Sequence, residues 1–426
     1  MTVVQAYRYL GSSGLGEAGL ALQTSGGPAA NPRFFTGFLT TPQAAAAGLL
    51  AVAEVARTRY FQPVRAASLD PVVTAGSDRL RFESFSGCCG VYARLDALPD
   101  GLDGEIVAHG TTNVDVNDPL RASLARISGL DPLRLSVGPD DLTVSTMDAT
   151  IVEKKVPLPP RWLRGFAEVQ VLSAGFEQRG VATADFLRRL PKGVLWAIPA
   201  GRGLRLTSRP VPGAICVPDG SRLAALRGML RFARSLKVYG PPVTTGSGPL
   251  PSTWELDTGV LRLSLTLSPE PYRGFSGEGA ALTALSGDEV VDDAELISAL
   301  LSWDPAIDVA GLAASAGLTA ERVLGALAQL GTAGRVGYDV HEGAYFHRVM
   351  PYDAGRAERD NPRLIGARAL VSSGLVKLDE DGRAATVGDH RVRVAESSCS
   401  CPWYAKHRGQ RGPCKHVLAV QLELRP

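Results

Sequence analysis

The chain has 426 residues, 45% of them hydrophobic and 21% charged, a balance expected of a globular protein with room for two to four domains. Its formal net charge is +2, so no global basic field demands a nucleic acid partner. No apolar run approaches the roughly 20 residues of a membrane span, and Met1 to Arg8 lack a secretory pattern, so a cytoplasmic protein without membrane association is expected.

Residues 1–75 form the first predicted segment. Gly, Ser and Pro are frequent over residues 11–31, which predicts a loop. Pro42 to Tyr60 reads as a helix with an apolar surface of Leu49, Leu50, Val52, Ala53 and Val55.

Residues 76–290 carry a weak internal duplication of pattern. The first unit reads as strands Leu80 to Phe85, Val91 to Leu95 and Glu105 to His109, a helix from Pro119 to Ile127, and a hairpin of Leu133 to Val137 with Leu142 to Thr146. The second reads as strands Leu195 to Pro199, Leu204 to Thr207 and Ala214 to Val217, a helix from Ser221 to Leu236, and a hairpin of Trp254 to Leu256 with Val260 to Leu267. Helical stretches at Pro160 to Val171 and Thr183 to Leu190 would connect them. Residues 79–147 and 195–267 should then repeat each other within a curved antiparallel sheet carrying helices on one face.

Residues 291–350 look like a winged helix. Ala294 to Trp303 is the first helix. Asp308 can cap the second, Val309 to Ala316, and Thr319 the third, Ala320 to Leu330. Arg335 to Val340 and Ala344 to Arg348 make the wing. An acidic cluster, Asp288, Glu289, Asp292, Asp293 and Glu295, precedes or enters this region. The third helix is the usual groove reader of such folds. Its exposed positions, Glu321, Arg322 and Gln329, carry little positive charge, which favours a structural or protein-binding role. His341 and His347 flank the wing turn and read as exposed residues rather than metal ligands.

The final domain, residues 366–426, begins with a strand pair around Val376 and Val387. It contains Cys399-Ser400-Cys401, a spacer of twelve residues, and Cys414-Lys415-His416. Three thiols and one imidazole are enough to close a tetrahedral zinc site. Cys-x-Cys suits a strand end or tight turn, and Cys-x-His suits the start of a helix. Half of the six cysteines fall in this motif. The odd remainder of Cys88, Cys89 and Cys216 argues against a disulfide framework and for a reducing compartment. His407, in mid-spacer, reads as solvated.

The order Cys-x-Cys, spacer, Cys-x-His, with the lead-in Val392 and Val394 and with Cys401-Pro402-Trp403 and Cys414-Lys415-His416-Val417, resembles the SWIM zinc finger of bacterial proteins. The resemblance covers roughly the last tenth of the chain and assigns Cys399, Cys401, Cys414 and His416 as the metal ligands, with zinc as the cofactor. It also implies a MoxR-type ATPase and a von Willebrand factor A-domain protein as partners.

The architecture expected is therefore α+β: duplicated antiparallel sheet-helix units, then a winged helix and a C-terminal SWIM zinc finger. Lys406, Arg408, Arg411 and Lys415 make the finger basic. They either balance the charge of a zinc with three thiolates or form a patch for phosphate or an acidic partner. Arg227, Arg231 and Arg234 make a second arginine stripe, read as the solvated flank of a sheet-packing helix. No Walker-type phosphate loop and no nucleophile elbow occurs. The function expected is that of a non-catalytic zinc-binding adaptor for protein or nucleic acid. The alternatives are a DNA-binding regulator and an enzyme with an unrecognised site in the duplicated region.

Overall fold

The computed structural model describes residues 14–16, 19–21, 33–61, 71–156, 158–201, 203–270, 272, 274–275, 279–284, 289–350, 362–409 and 411–424. It is a mixed α+β structure whose described strand pairs are antiparallel. The expected loop at 11–31 lies largely outside the described residues. The part described is a strand pair, Gly14–Gly16 with Gly19–Ala21.

The centre of the molecule is an eight-stranded sheet in the order Glu177–Ala182, Ser235–Gly240, Ser252–Asp257, Leu261–Leu267, Val91–Ala97, Leu80–Phe85, Val72–Ala75 and Gly110–Asn113. It joins strands from both halves of the region read as duplicated. A five-stranded sheet (Thr150–Lys154, Asp141–Ser145, Arg134–Val137, Phe35–Leu39, Leu102–Ile106) and a three-stranded sheet (Gly203–Thr207, Leu195–Ala200, Ile215–Val217) complete this part.

The expected repeat of 79–147 and 195–267 does not hold with those bounds. Leu80–Phe85 pairs with Val72–Ala75, whereas its expected counterpart, Leu195–Ala200, pairs with Ile215–Val217. A matching strand order emerges over a longer window. Phe35–Leu39, Arg134–Val137, Asp141–Ser145 and Thr150–Lys154 are neighbours in that order, as are Glu177–Ala182, Ser235–Gly240, Ser252–Asp257 and Leu261–Leu267. The expected helix at Ser221 to Leu236 is instead a 3-10 segment, Gly220–Met229, followed by the strand Ser235–Gly240. Ala184–Arg189 is likewise 3-10.

Strand alternation sorts the central sheet into two faces. Leu80, Phe82, Val91, Ala93, Leu95, Leu263, Leu265, Trp254 and Leu256 enter the main core, where the helix Pro42–Arg57 packs on strands Leu80–Phe85 and Val91–Ala97. The opposite face carries Arg81, Glu83, Arg94, Asp96, Glu255 and Arg262, and all of these are buried as well.

Their cover comes from later in the chain. Helices Glu289–Leu300, Val309–Ala316 and Ala320–Thr332 and the hairpin Val336–Asp339/Ala344–His347 share a core of Ile297, Val323, Leu327, Leu330 and Val336. Asp308 and Thr319 cap the second and third helices as expected, through Ala310 N–H and Arg322 N–H. The hairpin lies on the charged face of the sheet. Asp339 Oδ1 is ion-paired with Arg94 Nη2 at 2.8 Å and the carboxylate lies near Arg81 and Arg79, while Arg348 donates to Glu83 at 2.7 Å. His341 Nδ1 is 2.6 Å from Glu255, and Glu342 pairs with Arg262 and Arg79.

Burial alone would raise the Asp339 carboxyl, but Arg94, Arg81 and Arg262 outweigh it and hold the group well below the usual carboxylate range. Asp96 moves the other way, raised by burial, opposed by Arg94 and raised further by Asp339. Neither wing histidine is fully exposed, contrary to the sequence expectation. His341 bonds the sheet, and the His347 ring stacks on Trp303 at 4.3 Å, where burial brings its pKa down to about 4.

Candidate metal centre

The C-terminal unit is a four-stranded antiparallel sheet, Val376–Leu378, Ala384–Val387, His390–Arg393 and Ser398–Cys399, packed against the helices Pro362–Ser372 and Lys415–Leu424. Its core unites Leu364, Ala367, Ala385, Val387, Val392, Val417 and Leu418 with the three motif cysteines. The lead-in residue Val392 sits opposite Cys399 in the ladder, so Cys399 ends a strand as Cys-x-Cys suggested. Cys401 is the N-cap of a short helix, Pro402–His407, that begins with proline, the residue best tolerated at a first helical position. That helix ends at Arg408 in the left-handed region (φ 44°). The loop that follows returns the chain to Cys414, immediately ahead of the helix Lys415–Leu424.

This route brings Cys399, Cys401, Cys414 and His416 together, with one ligand atom from each lying within 4.8 Å of the others. His416 presents Nδ1, 3.7 Å from Cys399 Sγ and 4.0 Å from Cys414 Sγ. A tetrahedron with bonds of about 2.0–2.3 Å needs neighbouring ligand atoms roughly 3.5–3.8 Å apart, so the set fits zinc with little adjustment. All four side chains are buried, the most exposed being Cys399 at 8%. Among the described residues no other group of His, Cys, Asp and Glu meets the same spacing.

The local backbone favours thiolates. Cys401 N–H points at Cys399 Sγ (3.4 Å), Tyr404 N–H at Cys401 Sγ (3.3 Å) and Val417 N–H at Cys414 Sγ (3.5 Å). Two of these donors belong to first helical turns, where the backbone dipoles favour negative charge. The hydrogen bond from Cys399 brings the Cys414 thiol down against the effect of burial, and the same pairing pushes Cys399 up. Burial lowers His416, which keeps the imidazole neutral, the form that ligates metals.

The basic residues of the spacer divide. Lys406, Arg408 and Lys415 are exposed, whereas Arg411 is half-buried. His407, expected to be solvated, is half-buried with its ring 4.8 Å from that of Trp403, and it is outside the metal cluster. Three neighbours of the site escaped sequence reasoning. The His390 ring lies 4.4 Å from that of His416, Arg363 sits over Trp403, and Leu282 joins the finger core from far upstream. Of these, only His390 adjoins the lead-in strand, so it alone had a local signal.

Elsewhere, Arg227, Arg231 and Arg234 are exposed, but the helix they were expected to flank is a 3-10 segment that ends at Met229. Arg322 of the third helix is engaged with Asp293 at 2.7 Å. Cys89 and Cys216 are buried and Cys88 is half-buried, and none of the three is in a disulfide. No helix among the described residues is long and apolar enough to cross a membrane.

Residues 375–423 match the family model described as SWIM zinc finger, so the chain carries a SWIM zinc finger there, with a cysteine and histidine cluster suited to zinc. No curated protein matches the chain. Solved structures similar to it include proliferating cellular nuclear antigen from Entamoeba histolytica, at 10% identity and a TM-score of 0.36, covering 56% of this chain and 100% of that one. Another is the PCNA2-PCNA3 complex from Sulfolobus tokodaii, at 7% identity and a TM-score of 0.37, covering 55% and 99%.

Proposed function

We propose that this chain is a non-catalytic zinc-binding adaptor of the cytoplasm that engages a macromolecular partner through the surface its finger presents. The observation that carries this reading is the closed cluster of three thiols and one imidazole, rimmed by exposed Lys406, Arg408 and Lys415. Four protein ligands leave a tetrahedral zinc no position for water or substrate. The ion then supplies folding free energy and a fixed surface. In this reading Cys399, Cys401, Cys414 and His416 ligate the zinc. The three free cations, with Arg411 behind them, face the partner.

Within the same reading, residues 291–350 are a winged helix with a structural role. Its hairpin is committed to the central sheet through Asp339 and His341. Its third helix offers Arg322 already paired with Asp293. The preferred partners are proteins, a MoxR-type ATPase and a von Willebrand factor A-domain protein. The second reading, a DNA-binding regulator, is favoured by the finger cations alone.

One experiment separates the two. Lys406→Ala with Arg408→Ala is compared with wild type for capture of the ATPase and for retention on duplex DNA over a salt series, with zinc content measured in both. A DNA binder should lose about 0.9 of log–log salt slope per phosphate contact removed. A protein adaptor should lose ATPase capture and show no salt-dependent DNA retention in either form. Unchanged capture and unchanged DNA binding in the double variant would reject the finger surface as the contact.

A further inference from the structure

We propose that Arg363, which lies outside the ligand motif, is a positioning residue for the zinc centre, and that it couples metal occupancy to the docking of the finger on the rest of the molecule. The inference rests on the zinc centre and not on the identity of any partner.

Arg363 stands at the start of the helix Pro362–Ser372. Its Nη1 donates to the carbonyl of Arg411 at 2.7 Å and to that of Pro413 at 3.0 Å. Pro413 directly precedes the ligand Cys414. Arg408, Gly409 and Gly412 are in the left-handed region, and Gly412 N–H bonds Gly409 O at 3.0 Å. Proline contributes no donor. The same guanidinium lies 4.9 Å from the ring centroid of Trp403, in the helix that Cys401 caps. One side chain therefore touches the segment after the first ligand pair and the segment before the second.

The contact extends into the body. A Cβ placed on Gly279 would overlap the Arg363 guanidinium, and one on Gly412 would overlap the Gly279 backbone. Gly412, with φ 72° and backbone in its way, needs glycine, whereas at Gly279 an added Cβ would push the end of the Arg363 side chain aside. The next residues, Ala280 and Ala281, donate their N–H groups at 2.6 and 3.1 Å to the carboxylate of Glu168, which is buried on the helix Pro160–Ala174. Leu282 then enters the finger core. A continuous chain of contacts thus runs from Cys414 through Arg363 and Gly279 to the helix that packs on the hairpin strand Val336–Asp339. Zinc orders the loop that supplies the acceptors of Arg363. By linkage, whatever zinc contributes to this clasp the clasp returns to zinc affinity by the same factor.

The test is competition for zinc by a chromogenic chelator, paired with amide hydrogen exchange, on the full chain. Arg363→Met should weaken zinc binding about 10–100-fold, the range found when an outer-shell partner of a metal site is lost. Arg363→Lys, which keeps the charge but not the fork, should fall between. Gly279→Ala, remote in sequence from every ligand, should also weaken zinc binding by displacing the guanidinium, and it decides the matter if Arg363→Met does not fold. In wild type, zinc removal should speed exchange at Ala280 and Ala281. A purely structural Arg363 would lower the unfolding midpoint of the central sheet without changing zinc affinity. Wild-type zinc affinity in both Arg363→Met and Gly279→Ala, or Ala280 and Ala281 exchange indifferent to zinc, overturns the proposal. Absence of zinc from wild type would instead overturn the metal centre itself.

Discussion

The finger and the hairpin at 336–347 are both organised by buried charge, but they are encoded at different ranges. The four metal-binding candidates lie between Cys399 and His416, and each sits at a strand end, a helix cap or a first helical turn that its neighbours dictate. The hairpin is held by Arg94 on Tyr338 and by Arg348 on Glu83, separations of 244 and 265 residues. A metal demands particular ligand types, and this finger supplies them at short spacing. An ion-pair latch demands only complementary charges, which the fold must deliver from afar. The first therefore leaves a motif in the sequence, and the second leaves charges that resemble an ordinary solvent face.

The comparison predicts that the two regions fail separately. The largest effect is expected from Cys414→Ser. Apparent binding energies of structural zinc are on the order of 10 kcal/mol, so losing a ligand should abolish zinc retention and make residues 362–424 sensitive to protease. The central sheet should keep its cooperative unfolding. Simultaneous collapse of both regions would mean that the coupling through Arg363 reaches the hairpin and not only the docking of the finger.

Asp339→Asn should come next. It leaves Arg94 and Arg81 buried with one carboxylate fewer, and breaking a buried pair costs about 3–5 kcal/mol. Chemical denaturation and hydrogen exchange over 336–347 would register the loss, while zinc content stays at the wild-type level.

Acid should separate the regions as well, with the finger failing first. Zinc requires deprotonated thiols and a neutral imidazole, so falling pH releases it. Asp339 has a folded pKa below its unfolded value, so its contribution is complete above about pH 5 and is lost progressively as the pH falls through the lower folded value. Asp96, raised in the fold, takes up its proton earlier, and its protonation favours the folded form. A pH titration followed by zinc release and by exchange in the hairpin should show the finger emptied while the hairpin remains docked at pH 4. Undocking at a higher pH than zinc release would break this comparison. The smallest effect is expected for Glu342→Gln. This carboxylate is part-exposed beside Arg262 and Arg79, and its loss should cost less than about 1 kcal/mol in unfolding measurements.

Legibility followed the same division. Residues 399–416 announced their site because ligand type, spacing and helix starts all agreed. In the central sheet, Arg81, Glu83, Arg94 and Asp96 alternate with Leu80, Phe82, Ala93 and Leu95, a pattern that reads as one buried and one solvated face. Nothing local reveals that the helix Pro160–Ala174 and a distant hairpin cover the polar side. The stretch after Ser221 failed for a related reason. Leu223, Leu226 and Leu230 have helical spacing, but Ser235–Gly240 is recruited between two strands of the central sheet, and sheet pairing overrides the local period. Losing that strand, together with Val72–Ala75 and the short, half-exposed Thr150–Lys154, shifted the inferred repeat. Arg363 was silent because one arginine on a helix has no pattern.

The central claim is that Cys399, Cys401, Cys414 and His416 hold one structural zinc with no open position. Elemental analysis of freshly purified, unchelated protein, followed by cobalt substitution and visible absorption, tests it most directly. The account predicts one zinc per chain and a tetrahedral cobalt spectrum with thiolate-to-metal charge-transfer bands, both lost in Cys414→Ser. Protein that carries no zinc, or zinc that Cys414→Ser retains in full, would contradict it.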